Sequence, residues 1–207
     1  MFNKQISGMV ILFTGLLTGC VSVRPPPVAT PSASDAQPFA WRAKELLSLK
    51  NWIIRGSAAV IQPNHSDSVN YTWKQNSENY EIQLAGALNL GSTQISGGAG
   101  FVKVEQADGQ HWEGSNPNAL IAERLGIRLP VAELVYWVRG IPAAESYTQL
   151  KTDQRGCLES LQQLGWTIHW SHYERVGSND LPHWIVLKRS GWTIKLLIRD
   201  WDLNTQL

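Results

Sequence analysis

Cysteine is scarce in this chain of 207 residues: there are two, Cys20 and Cys157. A disulfide framework is therefore excluded. Charge is scarce as well. Charged residues make up 17% and the net charge is +1, so no strong field points to nucleic acid or to an acidic partner. No glycine-rich loop ends in Lys-Ser or Lys-Thr, which removes the usual phosphate cradle, and Gly97-Gly98-Ala99-Gly100 reads as a turn between strands. No G-x-S-x-G elbow is present to expose a nucleophilic serine. The histidines are His65, His111, His169, His172 and His183. On a strand, His169-x-x-His172 places its two rings on opposite faces, which argues against a zinc site. Strands and helices do not alternate, so a parallel sheet is excluded. The N-terminal apolar run, Met9 to Leu17, is too short to stay as a membrane span.

That run has another meaning. Lys4 precedes it and Leu17-Thr18-Gly19-Cys20 closes it, the arrangement of a secretory signal that ends in a sequence resembling the bacterial lipobox. Cleavage before Cys20 would leave a cysteine with a thioether-linked diacylglycerol and an acylated amino group. Each buried CH₂ contributes roughly 0.8 kcal/mol, so three chains far exceed what stable anchoring needs. Val21 follows in place of the Asp that resembles an inner-membrane retention signal, which predicts the periplasmic face of an outer membrane. With Cys20 lipidated, Cys157 has no partner and reads as a small buried hydrophobe, not a catalytic thiol. Val21 to Pro38, with Pro25, Pro26, Pro27, Pro31 and Pro38, is an extended tether. The expected organisation is a signal over 1–19, a lipidated cysteine and tether over 20–38, and one domain over 39–207.

Phe39 to Leu49 has helical spacing, with Phe39, Ala43, Leu46 and Leu47 on the apolar face. The period then falls to two. Strands are predicted over Trp52–Ile61, with Gly56 as a bulge, and over Val69–Lys74, Tyr80–Leu84, Ser92–Ser96 and Phe101–Glu105. Asp108-Gly109 turns into a further strand. Asn116 caps a helix with Pro117 at its first position and Gly126 past its end, and Pro130 opens a second helix over Val131–Val138. Strands return at Trp166–Trp170, Trp184–Lys188 and Trp192–Trp201, and the ambiguous Cys157–Leu164 is read as strand among strands. Short strands joined by tight turns form an antiparallel meander, with the two helices covering one opening of a curved sheet. The 10 tryptophans suit a wide apolar interior.

Several residues in order resemble the LolB family of outer-membrane lipoprotein receptors. They are Trp52 with Arg55-Gly56, Tyr71-x-Trp73, Tyr80-x-Ile82-x-Leu84, Leu90-Gly91-Ser92-Thr93, Pro130 with Leu134 and Trp137-Val138, and Gly140-Ile141-Pro142. The resemblance runs from Trp41 to Asp202. It implies a mainly β fold: a half-open antiparallel β-barrel of about eleven strands, with short helices as a lid over an apolar cavity. It also implies a receptor that accepts lipoproteins from a periplasmic carrier, LolA, shelters their acyl chains and places them in the inner leaflet of the outer membrane. The partners would be LolA, client lipoproteins and outer-membrane phospholipid. Neither a cofactor nor self-association is implied.

In the family a protruding loop inserts an exposed leucine. Here the loop is Gly86-Ala87-Leu88-Asn89-Leu90-Gly91, with Ala87 where the family has proline. Leu88 fits by its place after Gly86-Ala87, and Leu90 by its place before Gly91-Ser92-Thr93, with Leu88 the first choice. Candidate cavity residues follow from shared faces: Tyr71 with Trp73, then Tyr80, Ile82 and Leu84, and on the lid Leu134, Val135 and Val138. Each of them fits a sealed core equally well. Arg55 interrupts an apolar strand and would face either the cavity or, more commonly for such an arginine, solvent. Two other functions compete: an outer-membrane scaffold with a filled interior, and a tethered hydrolase, which would need acid, base and nucleophile to converge in a pocket.

Overall fold

The computed structural model describes residues 38–86, 92–126 and 128–204. The signal, Cys20, the tether before Pro38 and the loop with Leu88 and Leu90 lie outside them. The chain begins with α1 (Phe39–Ser48), followed by β1 (Asn51–Gln62), β2 (His65–Asn76) and β3 (Asn79–Gly86). Next come β4 (Ser92–Gly98), β5 (Phe101–Gln106) and β6 (His111–Gly114), then α2 (Pro117–Leu125) and α3 (Val131–Trp137). The last strands are β7 (Tyr147–Thr152), β8 (Leu158–Gln163), β9 (Trp166–Val176), β10 (Asn179–Arg189) and β11 (Trp192–Asp202).

All the strands join one 11-stranded antiparallel sheet in the order β6-β5-β4-β3-β2-β1-β11-β10-β9-β8-β7. The first and last strands pair at its centre, so two meanders meet along β1 and β11. The sheet is open: β6 and β7 are its edges, and the helical insert α2–α3 connects them. This is the expected mainly β architecture, an open sheet with helices over it.

The local signals worked where the chemistry is local. Asn116 caps α2, its side chain accepting from the Ala119 N–H, with Pro117 in the first turn and Gly126 left-handed at the far end. The bulge falls between Arg55 and Gly56, where the β1–β11 register shifts. A side chain at Gly56 would collide with the Leu197 carbonyl and the Tyr71 hydroxyl. That missing side chain lets Tyr71 Oη reach over β1 to donate to Leu197 O at 3.3 Å.

Three expectations need correction. On α1 the buried residues are Arg42 and Leu46, while Leu47 is exposed. Arg42 goes inside because it reaches β10, bonding Asp180 Oδ2 at 3.3 Å and Asp180 O at 3.0 Å. Strand β7 was not foreseen. It is an almost wholly exposed edge strand, so it has no apolar alternation to read. Strands β9 and β10 run on past their apolar cores into a polar hairpin across Gly177-Ser178, which hydrophobicity alone does not mark.

The core lies between the sheet and the helices. Six tryptophans are buried in it: Trp52, Trp73, Trp137, Trp166, Trp170 and Trp201. Trp52 meets Trp73 with ring centroids 5.2 Å apart and Trp201 at 5.6 Å, tilted and edge-on as aromatic quadrupoles prefer.

Candidate functional site

Helix α3 is a wall with a different space on each side. Its Leu134 and Val138, four residues apart and so on one face, look into a cavity lined also by Ile54, Ala58 and Val60 from β1 and by Val69, Tyr71 and Trp73 from β2. Ile82 and Leu84 of β3, Ile194 and Leu196 of β11 and Leu129 before α3 complete the lining. Every lining side chain is apolar apart from the Tyr71 hydroxyl, which donates to Leu197 O, and the Trp73 indole N–H, which donates to Gln75 Oε1 at 3.0 Å. Burial raises the Tyr71 pKa further above its ordinary value, with Arg199 pulling weakly the other way. The cavity therefore offers greasy contact and no chemistry.

It is also small, at about 50 Å³. A cavity of roughly 150 Å³ just accepts benzene, so no acyl chain fits this closed form.

The other side of α3 is held by polar contacts. Trp137 Nε1 donates to Gln163 Oε1 at 2.8 Å, and Trp170 Nε1 donates to Trp137 O at 2.7 Å. Gln163, buried on β8, also accepts from the Ala143 N–H at 3.0 Å and donates to Ala143 O at 3.1 Å and Glu145 O at 2.6 Å. Arg139, just past the helix, is buried too. Its Nε bonds Val135 O at 2.9 Å, and its Nη1 bonds Leu46 O and Leu49 O of the α1 end at 2.9 Å each. Burial lowers its pKa to about 10, against a weak pull upward from Tyr136.

Of the residues expected to line the cavity, Tyr71, Trp73, Ile82, Leu84, Leu134 and Val138 come together there. Tyr80 and Val135 do not. They line a second, larger cleft at the far end of the strands. Val135 is rotated from Leu134 by one residue of helix, which on this thin wall means the opposite space. Tyr80 shares a face with Ile82 and Leu84 but sits at the start of β3, past the cavity's end.

Arg55 is on the solvent face, its Nη1 2.6 Å from Asp200 Oδ2. Cys157 is free and buried, and burial pushes its thiol up to about 11. Sequence reasoning missed Gln163 and Arg139. Gln163 carries no local signal, and a basic residue after a helix reads as an ordinary helix end. No group of three or more metal-ligating side chains occurs among the described residues. Nor is any described helix long and apolar enough to cross a membrane.

Comparisons with known proteins bear on this arrangement. The profile of the family described as outer membrane lipoprotein LolB matches residues 50–201. The chain is 36% identical over 187 residues to an outer-membrane lipoprotein LolB of Coxiella burnetii (strain RSA 493 / Nine Mile phase I), covering 90% of this chain and 88% of that one. It is 34% identical over 204 residues to the one of Pseudomonas syringae pv. syringae (strain B728a), covering 98% and 97%. Among solved structures, a LolA superfamily protein from Nitrosomonas europaea superposes with a TM-score of 0.56 at 11% identity, over 80% of this chain and 95% of that one. A DUF1329 family protein from Desulfovibrio piger does so with a TM-score of 0.57 at 8% identity, over 82% and 92%. These two likenesses concern the fold alone.

Proposed function

The chain belongs to the outer membrane lipoprotein LolB family, and from that premise we propose that it is an outer-membrane lipoprotein receptor. It takes lipoproteins from the carrier LolA, holds their acyl chains between α3 and the sheet, and releases them into the inner leaflet. Its domain spans residues 39–207 and hangs from lipidated Cys20 by the proline tether, on the periplasmic face. Catalysis has no part in the proposal.

The observation that supports it most is the composition of the cavity: thirteen lining residues with no unsatisfied polar group. Exposing three acyl chains to water would cost tens of kcal/mol, at roughly 0.8 kcal/mol per CH₂. A sheltered hand-over removes that barrier, and a tighter second site makes it directional without an energy source.

A triacylated lipoprotein bound to purified LolA, mixed with this protein in detergent-free buffer, should pass to it in one direction with nothing added. No transfer to a demonstrably folded protein would refute the reading. The insertion step rests on the loop. Leu88→Glu should leave folding and cargo binding intact and block delivery to vesicles. Normal delivery by that variant would move the role to Leu90.

The small closed volume supports a second reading, a scaffold for envelope assembly that carries no lipid. The same transfer assay decides between the two.

A further inference from the structure

The second cleft has a chemistry of its own. It measures about 850 Å³, within the usual range of ligand sites, and lies between α1, α3 and the start of β3. Leu47, Leu49, Val131 and Val135 give it an apolar wall. Leu47 is 48% exposed, a large side chain left uncovered at the rim. Its charged lining consists of Arg139 and Lys50 against the single carboxylate of Glu78.

Arg139 is the unusual member. It is 5% exposed, and its hydrogen bonds go to three carbonyl oxygens and to no carboxylate. Its Nη2 has no hydrogen-bond partner among the described residues. Tyr136 packs against the guanidinium with its ring centroid 5.4 Å away. A buried cation is ordinarily matched by an anion, and here the protein supplies none.

Two further polar atoms on the lining residues lack partners. Trp52 is fully buried with its indole N–H unbonded, and the Tyr80 hydroxyl is buried and unbonded as well. A side chain at Gly97 would collide with that hydroxyl, so the glycine makes room for it. Both atoms are closed to solvent, so neither is offered to a ligand in the cleft, and the buried guanidinium of Arg139 is the group that bears on one.

We propose that this cleft binds the phosphate headgroup of a lipid, with Arg139 Nη2 taking the phosphate and the apolar wall taking the chain. The planar guanidinium fork suits a phosphate better than a point charge would. The uncovered leucine wall favours a lipid over free phosphate. The site is separate from the cavity: the two have no lining residue in common. The proposal does not rest on the cargo reading and survives its failure.

The test uses the full chain with Cys20→Ala, so that it brings no acyl chain of its own. Dodecyl phosphate, dodecyl maltoside and inorganic phosphate are titrated into it calorimetrically, the two detergents below their micelle concentrations. Dodecyl phosphate should bind at least about tenfold more tightly than dodecyl maltoside, the size of one charge-assisted hydrogen bond. Arg139→Gln should remove that preference. Because Arg139 also ties α1 to α3, this variant risks misfolding, and Val135→Glu serves as the second. It places a carboxylate one helical turn before Arg139, supplies the missing counter-ion, and should bring both detergents to equal affinity. Equal affinity in the unsubstituted chain would overturn the proposal. So would an unchanged preference in a folded Val135→Glu protein. Inorganic phosphate binding as tightly as dodecyl phosphate would reduce the site to an adventitious ion only.

Discussion

The two sides of α3 are built on opposite principles. Toward β1, β2, β3 and β11 the helix offers Leu134 and Val138 to apolar side chains, and its side-chain hydrogen bonds among the described residues run elsewhere. Toward β8, β9 and α1 it is tied through Trp137, Gln163, Trp170 and Arg139. Apolar contacts are non-directional and survive sliding or separation, provided something equally greasy takes their place. Buried hydrogen bonds do not, because each unmatched partner costs the desolvation of its group. The difference teaches where movement is cheap. A chain that enters the cavity replaces one apolar surface with another, while the tied side keeps the helix attached to the sheet.

The tied side is where a single change should do most damage. Gln163→Leu keeps the approximate volume but removes all four of that residue's hydrogen bonds, leaving Trp137 Nε1 and the Ala143 N–H without their acceptor. The expected loss is about 3–5 kcal/mol, two or three unsatisfied buried groups at about 1–3 each. Urea unfolding measures it. A loss below about 1 kcal/mol would mean that the ties do not hold the helix, and the contrast between the two sides would collapse.

The greasy side should respond in function, not in stability. Ala58 lines the cavity opposite α3. Ala58→Leu adds three carbons to a space of about 50 Å³, and the folded state should change by no more than about 1 kcal/mol because that room takes up much of the strain. Uptake of a fluorescent acyl probe should nevertheless fall severalfold. Undiminished uptake would show that the chains go elsewhere.

How far the sequence revealed this contrast depends on which side is considered. The greasy side was legible. Tyr71, Trp73, Ile82 and Leu84 announce themselves by alternation, and Leu134 and Val138 by helical spacing, because burial against water leaves a periodic trace. The tied side was not. Gln163 looks like any polar residue near a strand end, and its four bonds run to residues up to 26 positions away. Arg42 and Leu47 were exchanged for the same reason: an ion pair to Asp180, 138 residues along the chain, overrides the local apolar face. Tyr80 and Val135 failed differently. Period tells which face a residue is on, but a thin wall gives each face its own space, and only the assembled sheet shows where one space ends. The missed β7 is an edge with nothing to bury.

The smallest expected effect uses a group the tied side already contains. Cys157 precedes β8 and is 2% exposed, its N–H held by Asp153 Oδ1 at 2.8 Å. Burial raises its pKa from 9.0 to about 11, with Arg42 pulling the other way. Between those values the folded protein keeps a proton that the unfolded chain has released. The unfolded state then binds fewer protons, so stability is complete below about pH 9 and falls as pH rises through the folded value. Tyr173, buried close by with its pKa also raised, adds to the decline at higher pH. Cys157→Ala should therefore flatten part of the fall seen by urea unfolding between pH 8 and pH 10.5, while changing little at pH 7. A labelling experiment sets this against the greasy side. Cys157 should react slowly with iodoacetamide, while Val138→Cys in a Cys157→Ala background should react faster, since its side of the helix opens without breaking a hydrogen bond. Equal rates at the two positions would mean that the helix leaves the sheet as a whole, and that the tied side does not hold it.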